Sequence, residues 1–282
     1  MLKLGKFELH SIDTTVFALD GGAMFGVVPK NIWSKKYHQG DEQNRIPLAA
    51  RPLLIVTDNK KILIDTGNGT KYSEKFQSIY SINIVESDIE RALSKQGFNP
   101  DEITDVILTH LHFDHAGGAT KSINNEIVPV FKNAKYYVQK DHYNWAMHPT
   151  DKDRASFMNE NYVPLFESGM LELIDGNGEL FPGFELINTF GHTNSLQLVK
   201  VKSENHSLLY LADLCPTTAH LNYAFSMGYD NFPLTTMAER KKLLPQAYEE
   251  NTILFFEHDA FISGAKLKDS AKGFEVGEII II

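Results

Sequence analysis

With 282 residues, 43% of them hydrophobic and 22% charged, the chain can bury a sizeable core as one large domain or two small ones. Its 36 acidic and 27 basic side chains leave a net charge of −9, and with no Lys/Arg block a nucleic-acid partner is disfavoured. No run of about 18 apolar residues is present to span a membrane, and the single cysteine, Cys215, excludes an internal disulfide and a four-cysteine zinc site, so any metal must be held by histidine and carboxylate.

The N-terminal MLKLGKFELHSIDTT has no sustained apolar stretch after its lysines, a poor secretory signal that points to the cytoplasm. FELHSIDTTVFAL, GVVPKNIW, PLLIVTD and KILIDTG read as short β-branched strands, and TDNKKILI as a hairpin turn between two of them. GGAMFG at 21–26 has glycine spacing but no following Lys-Ser/Thr, and is expected to be a turn near the pocket rather than a phosphate loop. Ser87 can cap a helix in SDIERALSKQ, with Ile89, Ala92 and Leu93 on one face and Gly97 as the stop. DVILT reads as a buried strand running into His110, KYYVQ as a strand and KDHYNWAMH as a helix. FELINTF, LQLVKV and SLLYLADL are expected strands. TTMAERKKLLPQAYEEN is an expected helix, broken or kinked at Pro245. TILFFEHD is a strand ending at His258, and EVGEIIII closes the chain as another. There is no short-period repeat, low-complexity tract or linker, so residues 1–282 are expected to form a single α/β domain of packed layers.

The chemistry concentrates in THLHFDHAGG at 109–118, where His110, His112, Asp114 and His115 fall within six positions. If the chain stays extended after DVILT, His110, His112 and Asp114 point to one side, and Gly117 and Gly118 then permit a sharp turn. Imidazole nitrogen and carboxylate oxygen are ordinary zinc ligands, and four of them exceed what one metal with an open position takes, so two metals are expected. Further donors should come from strand ends. His192 in TFGHT, Asp213 in YLADLCP and His258 in LFFEHDA each lie where an apolar run stops. His10, His38, His142, His148 and His206 lack ligand-like spacing, whereas His220 lies in the loop that leaves Asp213 and is expected to face the pocket. There is no G-x-S-x-G elbow, H-E-x-x-H or complete P-loop.

HxHxDH, GHT, a strand-end aspartate and a late strand-end histidine, together with ILIDTG at 62–67, resemble the metallo-β-lactamase superfamily over about residues 52–260. The resemblance implies an αββα sandwich, two facing mixed β-sheets with helices outside. It implies that His110, His112 and His192 bind one metal and that Asp114, His115 and His258 bind a second. Asp213 would bridge them and Asp65 would support the site without binding. The cofactors would be two divalent ions, zinc first, with manganese, iron or cobalt as alternatives. They would share a water made nucleophilic near neutral pH, with Asp114 able to accept its proton.

Within the superfamily, the spacing of about twenty residues from GHT to Asp213 and about forty-five more to His258 is similar to the branch of N-acyl homoserine lactonases and methyl-parathion-hydrolase-like enzymes. Those lactonases carry a tyrosine three residues after the bridging aspartate. Here that position is Pro216, with Tyr223 and Tyr229 further along. The expected reaction is hydrolysis of an ester or lactone. The alternatives are a glyoxalase-II-like thioesterase, a β-lactamase using Cys215, and a non-catalytic binding or redox module. Substrate contacts are expected from Met24, Phe25, His220 and Tyr223, with Trp33, Trp145, Phe225 and Met227 as further apolar wall. The expected partner is a hydrophobic small molecule, with a homodimer as the candidate assembly.

Overall fold

A computed structural model describes residues 1–271 and 273–282. Contacts divide the chain into two compact units, each discontinuous in sequence: Met1–Thr15 with Ala50–Gly176, and Val16–Ala49 with Asn177–Ile282.

The first unit is built on a mixed sheet with strand order Leu2–Leu4, Phe7–Ser11, Leu53–Val56, Lys61–Ile64, Asp105–Ile107, Lys135–Gln139 and Leu171–Ile174. The first four pair antiparallel, and Leu53–Val56 with Lys61–Ile64 is the expected hairpin. The last three join in parallel. Parallel neighbours require long crossovers, and the one between Ile64 and Asp105 contains the helices Glu74–Tyr80 and Ile89–Lys95. All three residues of Asp105–Ile107 are buried, as befits a central parallel strand. Ile89, Ala92 and Leu93 pack as one face into a core with Leu63, Val106 and Tyr136, where a fully buried leucine, isoleucine or valine side chain contributes about 1.5–3 kcal/mol. The cap of this helix is Asp88, not Ser87. The Asp88 carboxylate accepts from the N–H groups of Glu90 and Arg91, while the Ser87 hydroxyl donates back to Asn83 O. The turn that precedes the helix takes the serine and leaves the aspartate to cap.

The second unit carries the order Gly178–Phe181, Phe184–Thr189, Leu196–Ser203, His206–Tyr210, Ile253–Phe255, Gly264–Ser270 and Gly273–Ile280. Among the described residues, its one parallel pair, His206–Tyr210 with Ile253–Phe255, is linked through the helix Pro233–Glu249. That helix is continuous through Pro245. Its buried residues Thr236, Arg240, Leu244 and Ala247 recur at helical spacing, and their packing outweighs the single backbone bond that proline removes. Two expectations fail nearby. GVVPKNIW is not a strand, because Pro29 opens a helical turn, Lys30–Trp33, that buries Trp33. GGAMFG is not a turn but the helix Gly21–Phe25, since Asp20 caps it by accepting from Ala23 N–H. Two mixed sheets with their helices make this an α/β fold, as expected. Among the described residues, no helix is long and apolar enough to cross a membrane.

Candidate metal centre

In the first unit the ligand-rich stretch leaves the sheet after Ile107. It stays extended only to His112 (φ −64°, ψ 155°), which opens the helical turn Phe113–Ala116. The expected strand-like alternation therefore stops short of Asp114. On a helical turn adjacent residues diverge by about 100°, less than the opposite-face alternation of a strand, so Asp114 and His115 need not face opposite sides. All four donors are buried. His110 Nε2 and His112 Nδ1 lie 3.0 Å apart, close to the edge of about 3.3 Å that a tetrahedral site with bonds of about 2.0–2.1 Å requires. His115 Nε2 lies 4.0 Å from Asp114 Oδ1.

Asp65 organises this loop from behind. Its fully buried carboxylate accepts from Thr109 N–H at 2.7 Å and from Thr109 Oγ1 at 2.6 Å, and it faces His115 Nδ1 at 3.0 Å. The next residue, Thr66, donates to His115 O through both N–H and hydroxyl, at 2.7 and 2.8 Å. The DTG element thus docks directly on the ligand turn. Its approach is close enough to require glycine at 117, where a Cβ would lie 1.8 Å from Asn68 O. Lys71 donates to the carbonyls of Gly117 and Thr120, and burial pushes its ammonium down to about 8. His142, which has no ligand-like spacing, accepts Leu111 N–H on Nε2 at 2.8 Å and so holds the middle of the loop.

The second unit holds the other three expected donors, His192, Asp213 and His258. His192 follows the strand Phe184–Thr189. Asp213 sits three residues beyond the strand His206–Tyr210, on the single 3-10 turn Ala212–Leu214, so it does not end the strand itself. Each Asp213 oxygen faces a different imidazole: Oδ2 is 3.1 Å from His192 Nε2, and Oδ1 is 3.2 Å from His258 Nε2. The opposite ring nitrogens are anchored, His192 Nδ1 3.1 Å from Asp230 Oδ1 and His258 Nδ1 2.8 Å from Ala49 O. Burial alone would lower the His192 imidazole, but Asp213 and then Asp230 outweigh it and push it up to about 9. Two carboxylates flanking one imidazole favour positive charge at that ring. His115, His192 and His258 each have Nδ1 engaged by a carboxylate or carbonyl, which is how protein ligands are oriented toward a cation through Nε2. Donor chemistry and orientation in each unit therefore fit a divalent metal.

Cys215 is buried, its thiol 3.7 Å from Thr217 O, and burial pushes it up to about 12. A buried thiol so raised is unreactive as a nucleophile. His220 is also buried. Its ring lies between Thr217 Oγ1 and Met24 O, both at 2.8 Å, stacks on Phe25 at 4.8 Å, and is pushed down to about 4 by burial and then Arg240. Met24, Phe25 and Trp33 are packed with it, whereas Tyr223 borders a cleft of about 870 Å³ with Val27, Ile32 and Met237. Trp145 belongs to the first unit and donates to Asp153 at 2.7 Å. Sequence reasoning missed Asp230 and His142, and also an aromatic group beside Asp114. Tyr72, Phe76 and Tyr80 recur every four residues, and Phe76 and Tyr80 each lie 5.1 Å from the Phe113 ring. That spacing was the available signal.

The sequence profile of the metallo-beta-lactamase superfamily matches residues 47–258. The N-acyl homoserine lactonase AiiA of Bacillus thuringiensis subsp. kurstaki is 28% identical over 218 residues, covering 73% of this chain and 79% of the relative. A probable metal-dependent hydrolase from Staphylococcus aureus superposes with a TM-score of 0.89 at 30% identity, covering 99% of this chain and all of that one. AidC, a dizinc quorum-quenching lactonase, shares the fold with a TM-score of 0.82 at 24% identity, covering 100% and 97%.

Proposed function

The chain belongs to the metallo-beta-lactamase superfamily, and from that premise we propose that it is a dinuclear metal-dependent hydrolase that opens an ester or lactone bond. The observation that carries this reading is Asp213, whose two oxygens are each paired with a separate histidine Nε2. A carboxylate so flanked is suited to span two cations. We assign His110, His112 and His192 to one cation, Asp114, His115 and His258 to the other, and Asp213 to both. Asp65 and Asp230 act through the rings they orient.

Two bound divalent cations would acidify a shared water and polarise a carbonyl oxygen. With the cations bound, Asp114 would be the residue to take the proton that a water loses on attacking the carbonyl carbon and to return it to the alcohol oxygen as the C–O bond breaks. Water is thereby added across that bond, giving a carboxylic acid and an alcohol, or one hydroxy acid from a lactone. The aromatic group of Tyr72, Phe76, Tyr80 and Phe113 beside Asp114 suits an apolar substituent on the acyl side. Of the four expected substrate residues, we assign none as a contact: Tyr223 borders a cleft whose lining includes none of the seven proposed ligands. Met24, Phe25 and His220 we read as the packing that supports the Tyr223 loop. The N-acyl homoserine lactonase relatives make an acylated lactone the first substrate to try. The Cys215 thiol is turned to Thr217 O and belongs to none of the donor groups among the described residues, which argues against a thiolate-ligated β-lactamase site.

The test is metal content after gentle loading, followed by screening lactones, aryl esters, phosphotriesters and β-lactams. A ratio approaching two metals per chain is expected, with lactone or ester turnover that chelator abolishes and divalent metal restores. A stable ratio of one or zero, or turnover that survives full metal removal, would refute the reading.

A further inference from the structure

The helix Pro233–Glu249 carries none of the seven proposed ligands, yet two adjacent residues on it reach two of the three ligand-bearing segments of the second unit, those of His192 and Asp213. The Glu239 carboxylate accepts Phe190 N–H on one oxygen at 2.6 Å and Gly191 N–H on the other at 3.1 Å. It therefore grips the two residues that immediately precede His192. From the start of the same helix the contact is returned: Phe232 N–H donates to Gly191 O at 2.8 Å, and Asn231 N–H to His192 O at 3.0 Å. The fit leaves no room at Gly191, where a Cβ would lie 2.3 Å from Thr236 N.

The neighbour, Arg240, is fully buried. Its guanidinium donates to the carbonyls of Leu214, His220 and Phe225. Leu214 adjoins Asp213, so Arg240 ties the turn that bears Asp213 to the loop that follows it. A guanidinium presents five N–H donors in one fixed plane and can gather several carbonyls at once, which a single ammonium cannot copy. Burying such a charge is costly unless it is hydrogen-bonded and paired, and these three carbonyls supply the hydrogen bonds.

We propose that Glu239 and Arg240 are a positioning pair for metal binding: Glu239 fixes the backbone that aims His192, and Arg240 fixes the turn that aims Asp213. The inference rests on His192 and Asp213 being metal ligands, and it adds two residues that act through the backbone of those ligands.

The test uses wild type, Glu239→Gln, Glu239→Ala, Arg240→Lys and, as a control on the exposed side of the same helix, Lys242→Ala. Each is loaded with cobalt(II) and stripped with graded chelator, and metal content is read together with the cobalt d–d spectrum. Wild type and Lys242→Ala should retain both ions over the same chelator range. Glu239→Ala and Arg240→Lys should release one of the two ions about 10- to 100-fold more readily, the size typical when a ligand loses its outer support. The d–d band should change while the circular dichroism stays that of wild type. Glu239→Gln keeps one acceptor oxygen and should fall between. The inference is overturned if Glu239→Gln and Arg240→Lys hold both ions as tightly as wild type. It is equally overturned if both ions are lost in parallel with a fall in the melting temperature of the metal-free protein, which marks a merely structural role. A wild type that retains no metal refutes the ligand assignment and this inference with it, whereas the other two outcomes leave the assignment standing.

Discussion

Replacing Asp65 by asparagine keeps its shape and removes one acceptor. The wild-type carboxylate serves three donors: Thr109 N–H at 2.7 Å, the Thr109 hydroxyl at 2.6 Å and His115 Nδ1 at 3.0 Å. An amide has one carbonyl oxygen and one NH2. Whichever way it turns, its nitrogen must face a donor, either at Thr109 or at His115. A hydrogen bond to a charged group contributes about 1.5–3 kcal/mol, and a buried donor left unmet costs about 1–3 kcal/mol. With Asp65 fully buried, water cannot repair the loss, and a destabilisation of about 3 kcal/mol follows. At roughly 2–4 °C per kcal/mol for a chain of this size class, the metal-free Asp65→Asn protein should melt about 6–12 °C below wild type. Freed from its carboxylate, the His115 ring should also hold its metal about 10- to 100-fold less tightly. Thermal melts of chelator-treated protein and chelator competition of loaded protein measure the two effects separately. An Asp65→Asn protein that melts with wild type and keeps both metals against the same chelator would refute a supporting role for Asp65.

Three further outcomes are expected. Asp213→Ala should lose one metal and about a hundredfold or more of the activity, because two-metal geometry is broken, while Cys215→Ser should keep both metals and nearly all activity; the reverse pattern by metal analysis and kinetics would transfer the bridging role to the thiol. His220, held near 4 in the folded protein against 6.5 when unperturbed, leaves the native state short of a proton that the unfolded chain binds. Stability should therefore fall as pH drops from about 6.5 toward about 4, by up to about 3 kcal/mol from this group, and denaturant melts of His220→Gln should show a shallower dependence over that window. A slope identical to wild type would mean that His220 is protonated in the native state. Gly117→Ala places a Cβ 1.8 Å from Asn68 O, so the DTG element must separate from the ligand turn; soluble, fully metallated Gly117→Ala protein would contradict that contact.

Most strands were legible because their signal is local. Short runs bounded by turn residues became sheet where alternate side chains could be buried, as in Phe7–Ser11, whose Phe7, Leu9 and Ser11 are buried while Glu8 and His10 are only partly so. The failures are also local in origin. GVVPKNIW has strand-like composition, but Pro29 fixes a helix start and burial of Trp33 decides the outcome. In SDIERALSKQ two capping residues stand side by side, and sequence alone does not show that Asn83 has already claimed the hydroxyl of Ser87.

The candidate centre divides along the same line. Its donors were legible because a cation needs several of them together, and crowding four into 109–118 leaves a mark that packing alone does not produce. What orients those donors was legible only where it, too, sits in a distinctive run, as Asp65 does in DTG. Asp230 fixes the His192 ring from 38 positions away, and Glu239 grips the residues before it from 48 and 49 positions away. Nothing in GYDNF or MAERK sets either carboxylate apart from the other acidic residues of the chain. A ligand is specified by its chemistry, which residue type records. Its aim is specified by a hydrogen bond whose partner is chosen by the fold, and only the folded chain discloses it.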